Sequence, residues 1–140
     1  MCNVSAVVGV DAEMNERSVN DVSETENAIV SQWREVSADE QHELRHKVDK
    51  ILRPLGFETR LLVMRRASSI ALYFICLTLS AVMSLRDHWR SRQLRDIVQQ
   101  LFTLLSGVTY GLRVKRLSWP LIDYERCLEV FSSVHGMQIA

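Results

Sequence analysis

The chain has 140 residues, 47% of them hydrophobic and 24% charged, with a formal net charge of zero; this is the composition of one ordinary globular domain. Cys2, Cys76 and Cys127 are far apart and never in a CxxC spacing, which excludes a disulfide frame and points to buried thiols in a reducing compartment. The neutral total hides an asymmetry: residues 1–40 carry nine Asp/Glu against two Arg, and residues 41–140 carry fifteen Lys/Arg against eight Asp/Glu.

No basic segment precedes an apolar run at the N-terminus, and Asp11, Glu13 and Glu16 arrive early, so no secretory signal is expected. Residues 1–22 read as a mobile acidic segment, most clearly over "DAEMNERSVNDV". Within it "VSAVVGV" suits either a short strand or a frayed terminus. Residues 23–140 form the folded domain. Ser23-x-x-Glu26 predicts a capping box opening a helix through Val36, with Ile29, Val30, Trp33 and Val36 on its apolar face. A second box, Ser37-x-x-Glu40, predicts a helix over Ala38–Leu55 with a stripe of Leu44, Val48, Ile51, Leu52 and Leu55, closed by Pro54 and Gly56.

Two β-rich runs follow, 58–65 and 70–77, joined by the hairpin-sized Arg66-Ala67-Ser68-Ser69. From about Thr78 the composition turns helical. A further helix over Gln93–Leu105 carries Leu94, Ile97, Val98, Leu101 and Leu105 on one stripe and stops at Gly107. "YGLRVKRL" (110–117) alternates apolar and charged residues as a half-buried strand does. Pro120 marks the first turn of a last helix, apolar at Leu121, Tyr124, Leu128 and Phe131. The order predicts an α+β fold: a two-layer α/β sandwich with an antiparallel sheet covered by helices. Should "VSAVVGV" be a strand, the order becomes βαββαβ, which is ferredoxin-like.

Residues 67–85 hold nineteen residues without a charge, close to the roughly 20 that a membrane span needs. Five of them are Ser or Thr, and the first half is strand-like. Removing the segment as a span would also leave the amphipathic helices with no sheet to cover. The soluble-core reading is therefore preferred, with a span at 67–85 as the alternative.

His42-Glu43-Leu44-Arg45-His46 spells H-E-x-x-H, in which two His on one helix face grip Zn²⁺ and Glu43 acts as general base. On the predicted helix His42 and His46 fall opposite the apolar stripe, and no third ligand stands at a recognisable spacing, His88 and His135 included. A zinc metallohydrolase is the weaker alternative. With no phosphate loop and no nucleophile motif either, neither enzyme activity nor a cofactor is expected.

"LRDHWRSRQLRDIVQQLFTLL" (85–105), the strand "YGLRVKRL" and the helix "PLIDYERCLEVF" (120–131), with Asp123-x-Glu125-Arg126-Cys127-Leu128, resemble the N-terminal domain of TRADD, the TNF-receptor-associated death-domain adaptor. "HELRHKVDKILRPLG" and the two strands after it stand in the matching order, so the likeness covers roughly residues 40–131. The resemblance implies an α/β sandwich that acts without catalysis as a protein-protein interaction adaptor in cytoplasmic signalling of the TNF-receptor and apoptosis type. Its implied partner is the C-terminal domain of a TNF-receptor-associated factor, bound at the exposed sheet. The family's basic contact at the end of its last strand falls on Lys115 or Arg116, and its apolar contact on Ile70 or Ala71. The aromatic pair on the family's first strand has no counterpart in "VSAVVGV".

From the residues themselves, Arg60, Arg65, Arg113 and Lys115 are the charged positions of predicted strands and would stud the open face of a sheet. The candidate protein-binding set is Arg65, Ile70, Arg113, Lys115 and Arg116, facing an acidic or polar partner. The acidic head is expected to compete for that face, so that deleting residues 1–22 would tighten binding. A basic sheet also suits RNA, but "YGLRVKRL" has Tyr110 and Gly111 without the further stacking aromatics of an RNA-recognition motif. Neither nucleic acid nor membrane is an expected partner.

Overall fold

The computed structural model of the chain describes residues 3–14, 21–107 and 112–139. Its first element is a strand, β1, over Val4–Met14. Val4, Ala6, Val8 and Val10 point into the core while Ser5, Val7 and Gly9 point away, the period of two expected of a sheet with one buried face. Residues 4–14 thus lie in the middle of the sheet, and the boundary between residues 22 and 23 does not divide the molecule. The mobility expected of residues 11–22 fails for Asp11–Met14, which are strand; residues 15–20 lie outside the described residues.

Helix α1 spans Val22–Ala38. Its N-cap is Asp21, whose Oδ1 accepts from the Glu24 backbone N–H at 2.8 Å. Ser23 therefore lies inside the first turn, two residues past the true cap. Glu26, expected in the capping box, turns inward instead, and its carboxylate meets Arg66 at 2.6 Å across the end of the hairpin.

The helix expected over Ala38–Leu55 is shorter. Ser37 and Ala38 belong to α1, and Asp39 breaks the chain: its Oδ1 accepts from Gln41 N–H at 2.9 Å and its carbonyl from His42 N–H at 3.1 Å. Such a side-chain turn offers the backbone an alternative to helix. Helix α2 begins only at Arg45 and runs to Leu52, followed by a 3-10 turn over Arg53–Leu55. Gly56 ends it at φ +87°, a conformation that favours glycine.

The hairpin forms as read, β2 over Thr59–Arg66 and β3 over Ile70–Cys76. Helix α3, Leu79–Arg90, is capped by Thr78 accepting from Ala81 N–H at 3.1 Å. Arg92 at φ +69° turns the chain into α4, Gln93–Ser106, which Gly107 closes at φ +68°. Strand β4, Leu112–Ser118, and helix α5, Leu121–Ile139, complete the fold. Of the uncharged run 67–85, Ile70–Cys76 is thus strand and the part from Leu79 is helix, and among the described residues no helix is long and apolar enough to cross a membrane.

The sheet order is β2-β3-β1-β4, antiparallel throughout. This is the ferredoxin-like arrangement: β1 and β2 run parallel with β3 between them. Helices α1 and α4 pack on each other and cover one face. Phe74, Phe102, Ile29, Ile70, Leu72 and Leu101 fill the space between the layers, each with less than 2% of its surface exposed.

Ile70 is wholly buried beneath the helices, so its assignment to a binding surface is corrected. Ile70→Ala should cost about 2–5 kcal/mol of stability, measured by urea unfolding. A change below about 0.5 kcal/mol, the usual range for surface positions, would place the side chain outside the core.

Candidate protein-docking surface

The face of the sheet opposite α1 and α4 is laid out by strand register. Arg60 of β2 stands beside Ile75 of β3 and Ser5 of β1; Val63 beside Tyr73 and Val7; Arg65 beside Ala71 and Gly9; and Gly9 in turn beside Ser118 of β4. A bulge at Leu62, which has no partner between the Leu61–Phe74 and Val63–Tyr73 pairs, leaves Leu62 and Val63 exposed in succession. Val7 and Val63 each keep 37% of their surface exposed, flanking the half-buried Tyr73. The Arg65 guanidinium lies over the Tyr73 ring, 5.2 Å from its centroid. This half of the face is an apolar row framed by Arg60 and Arg65, and neither arginine has a carboxylate within ion-pair distance among the described residues.

The β4 half differs. Arg113 Nη2 meets Glu13 at 2.6 Å, Lys115 Nζ meets the other oxygen of Glu13 at 3.7 Å, and Arg116 Nε meets Asp11 at 3.5 Å. A second bulge leaves Lys115 without a partner between the Arg116–Asp11 and Val114–Ala12 pairs. All these groups are exposed, so each pair contributes only about 0.2–1 kcal/mol. Their larger consequence is that the positive field of β4 is already answered within the chain. The structure brings Arg113, Lys115 and Arg116 together, sets Arg65 apart on the far side of the sheet, and withdraws Ile70 into the core; Ala71, beside it, keeps partial exposure on the open face. Asp11 and Glu13 of the acidic head are part of β1 and pair with β4, so these two do not compete from outside; residues 15–20 lie outside the described residues. Deleting residues 1–22 would remove the central strand.

Val7, Val63 and Tyr73 were not singled out from the sequence as surface groups. The alternation could have supplied them: Leu72 and Phe74 as inward residues place Tyr73 outward. Of Tyr73, Phe74 and Cys76, all read from the sequence as core, Phe74 and Cys76 are buried and Tyr73 is half-exposed on the open face.

The H-E-x-x-H geometry depends on both His sharing a helix, and they do not. His42 precedes α2; its Nδ1 accepts from Leu44 N–H at 3.1 Å and its Nε2 lies 3.4 Å from the Gln32 amide. His46 lies within α2. His88 Nδ1 is 2.7 Å from the Ser84 carbonyl, in its own helix. Among the described residues no group of three or more His, Cys, Asp or Glu is placed to hold a metal ion. Tyr110 and Gly111, the remnant of an RNA-recognition pattern, lie outside the described residues.

Both described cysteines are free and buried. Burial pushes the Cys76 thiol up from its ordinary 9.0 to about 11, partly offset by its hydrogen bond with Thr59. Burial, reinforced by Asp123, also raises Cys127. Since the thiolate is the nucleophile, these are inert groups near neutrality. No protein-family model, curated protein or solved structure matches the chain.

A thiol whose pKa is raised on folding stabilises the native state fully below its unfolded value, and that contribution is lost as pH rises through the folded value. Between about pH 9 and 11 the wild type should therefore lose on the order of 2 kcal/mol more stability than Cys76→Ala does, read by urea unfolding across the range. Parallel curves for the two proteins would show that Cys76 does not titrate in this way.

Proposed function

We propose that this chain is a non-catalytic protein-protein interaction module, an adaptor of the TRADD N-terminal type working in cytoplasmic signalling. Its docking surface is the uncovered sheet face, centred on Val63, Tyr73 and Val7 and framed by Arg60 and Arg65. What supports the reading is a half-exposed apolar row across three strands, edged by Arg60 and Arg65, which have no carboxylate partner among the described residues. Interface anchors are enriched in Tyr and Arg, and patches that soluble monomers leave uncovered tend to be binding sites. The partner class suggested by the resemblance is the C-terminal domain of a TNF-receptor-associated factor.

This reading moves the contact set. Of the sequence candidates, Arg65 stays central. Arg113, Lys115 and Arg116 become rim groups whose ion pairs with Glu13 and Asp11 would have to be shared or broken by an acidic partner. Such rim charges tune association rate and salt dependence more than affinity.

Proximity labelling in the native cell, comparing the wild type with Tyr73→Ala/Arg65→Glu and with Arg113→Glu, tests it. The double variant should lose the enriched protein set, with affinity for the recovered partner reduced at least roughly tenfold. Arg113→Glu should change it by less than about threefold, because Arg113 is exposed at the rim. Equal labelling by the wild type and a folded double variant would remove the open face from the interface.

A further inference from the structure

A cavity of about 680 Å³ lies between β2 and the helices on its outer side. Thr59, Arg60, Leu61 and Leu62 all line it. Successive side chains of a strand point to opposite faces, so the feature common to four consecutive residues is the strand's edge. The cavity therefore abuts the outer backbone edge of β2. Among the described residues that edge has no neighbouring strand, since β2 ends the sheet. The opposite wall is α2 and its 3-10 turn, with Val48, Leu52 and Leu55, and Trp33 of α1 lies in between. Phe57 stands at the rim with 93% of its surface exposed, and Leu62 with 46%.

The two edges of the sheet are not equally protected. On β4 the side-chain amide of Gln99 behaves as a strand would: its Nε2 donates to the Leu112 carbonyl at 3.0 Å and its Oε1 accepts from Val114 N–H at 2.7 Å. On β2 one contact of this kind is present, Trp33 Nε1 donating to the Leu62 carbonyl at 3.2 Å. An unpaired edge is a template for a further strand.

We propose that the outer edge of β2 and the cavity beside it receive an extended acidic peptide segment of a partner protein as a fifth strand. The inference rests on the docking reading above in taking the ligand to be a protein, and it adds a second contact region to the open face. Charge selects the occupant. Arg53 and Arg60 line the cavity without a carboxylate partner among the described residues, whereas Arg45 is already held by Asp49 at 3.3 Å and by the Val36 carbonyl at 3.2 Å. A second copy of this chain is the wrong partner for the edge, because β2 carries Arg60, Arg65 and Arg66 and no acid. Pairing β2 with itself would set like charges against one another, which destabilises cross-strand neighbours. Backbone hydrogen bonds would supply affinity, the apolar wall at Leu52 and Phe57 would take one side chain, and the arginines would select for acid.

The test uses the full chain and a fluorescein-labelled peptide of alternating Val and Glu, with a Val–Lys peptide as counterpart. The acidic peptide should bind and slow amide hydrogen exchange along Thr59–Leu62, and the basic one should not. Arg53→Glu/Arg60→Glu should weaken the acidic peptide at least roughly tenfold and admit the basic one. Tyr73→Ala, on the open face, should leave peptide affinity unchanged, so the peptide result is independent of the labelling experiment. Absence of binding near ~1 mM, the weakest affinity worth assigning, equal binding of both peptides, or protection at Tyr73 and Val7 instead of β2 would each overturn the proposal. So would a dimer in sedimentation whose protected amides are those of β2.

Discussion

The fold depends on β1 being paired on both edges. Its eleven residues do this unequally: Val4–Val10 pair with β3, and Gly9–Met14 pair with β4. Only Gly9 and Val10 are bonded on both sides. The N-terminal half of β1 completes the hairpin sheet and its C-terminal half carries β4, so the sheet is staggered about this two-residue overlap. The stagger leaves the β4-side edge of Val4–Val8 without a strand, and α5 lies there, with Cys127 Sγ 3.8 Å from the Ser5 carbonyl. A helix over an open edge is one of the ways in which proteins blunt it.

An arginine of α3 also ties down the start of α5. Arg86 of α3 lies 4.2 Å from the centroid of Trp89, 4.8 Å from Tyr124 and 5.3 Å from Trp119, and its Nη1 donates to the Trp119 carbonyl at 2.7 Å. Trp119 meets Tyr124 edge-on at 5.4 Å, and Trp89 Nε1 donates to the Leu117 carbonyl at 3.2 Å. Cation–π contacts that are partly desolvated contribute about 0.5–2 kcal/mol each. They offset the buried indole N–H of Trp119, which has no partner among the described residues and costs about 1–3 kcal/mol. The cluster joins the end of β4, the start of α5 and the last turns of α3, and so fixes the helix that closes β1.

Elements with strong local signals were legible in the sequence: the hairpin from its β-branched runs and short connection, α4 from its stripe and Gly107, and α5 from Pro120. Breaks without Gly or Pro were harder to read. Asp39 ends α1 by a side-chain turn, and Arg92 separates α3 from α4 in a left-handed conformation that a non-glycine residue adopts only at some cost. The length of β1 was hidden because Asp11 and Glu13 read as tail; their partners, Arg116 and Arg113, lie some hundred positions away. The binding set suffered likewise. Arg65 follows from alternation alone, but which face of the sheet the helices leave bare is a tertiary fact, and Ile70 fell on the covered side.

Part of the charge asymmetry of the chain is answered within the sheet, by Asp11 and Glu13. Acid from the first forty residues meets base from the last forty across the β1–β4 pairing, at the end of the molecule where Gln99 also closes the backbone edge. At the opposite end, among the described residues, β2 presents Arg60 and Arg65 without carboxylate partners and an edge held by a side chain at one carbonyl, that of Leu62. β4 thus has Arg113, Lys115 and Arg116 paired and its outer edge bonded at Leu112 and Val114, while on β2 Arg66 alone is paired among the described residues, with Glu26. An acidic group brought to Arg60 or Arg65 would displace water, whereas at Arg113 or Arg116 it would have to displace an existing ion pair.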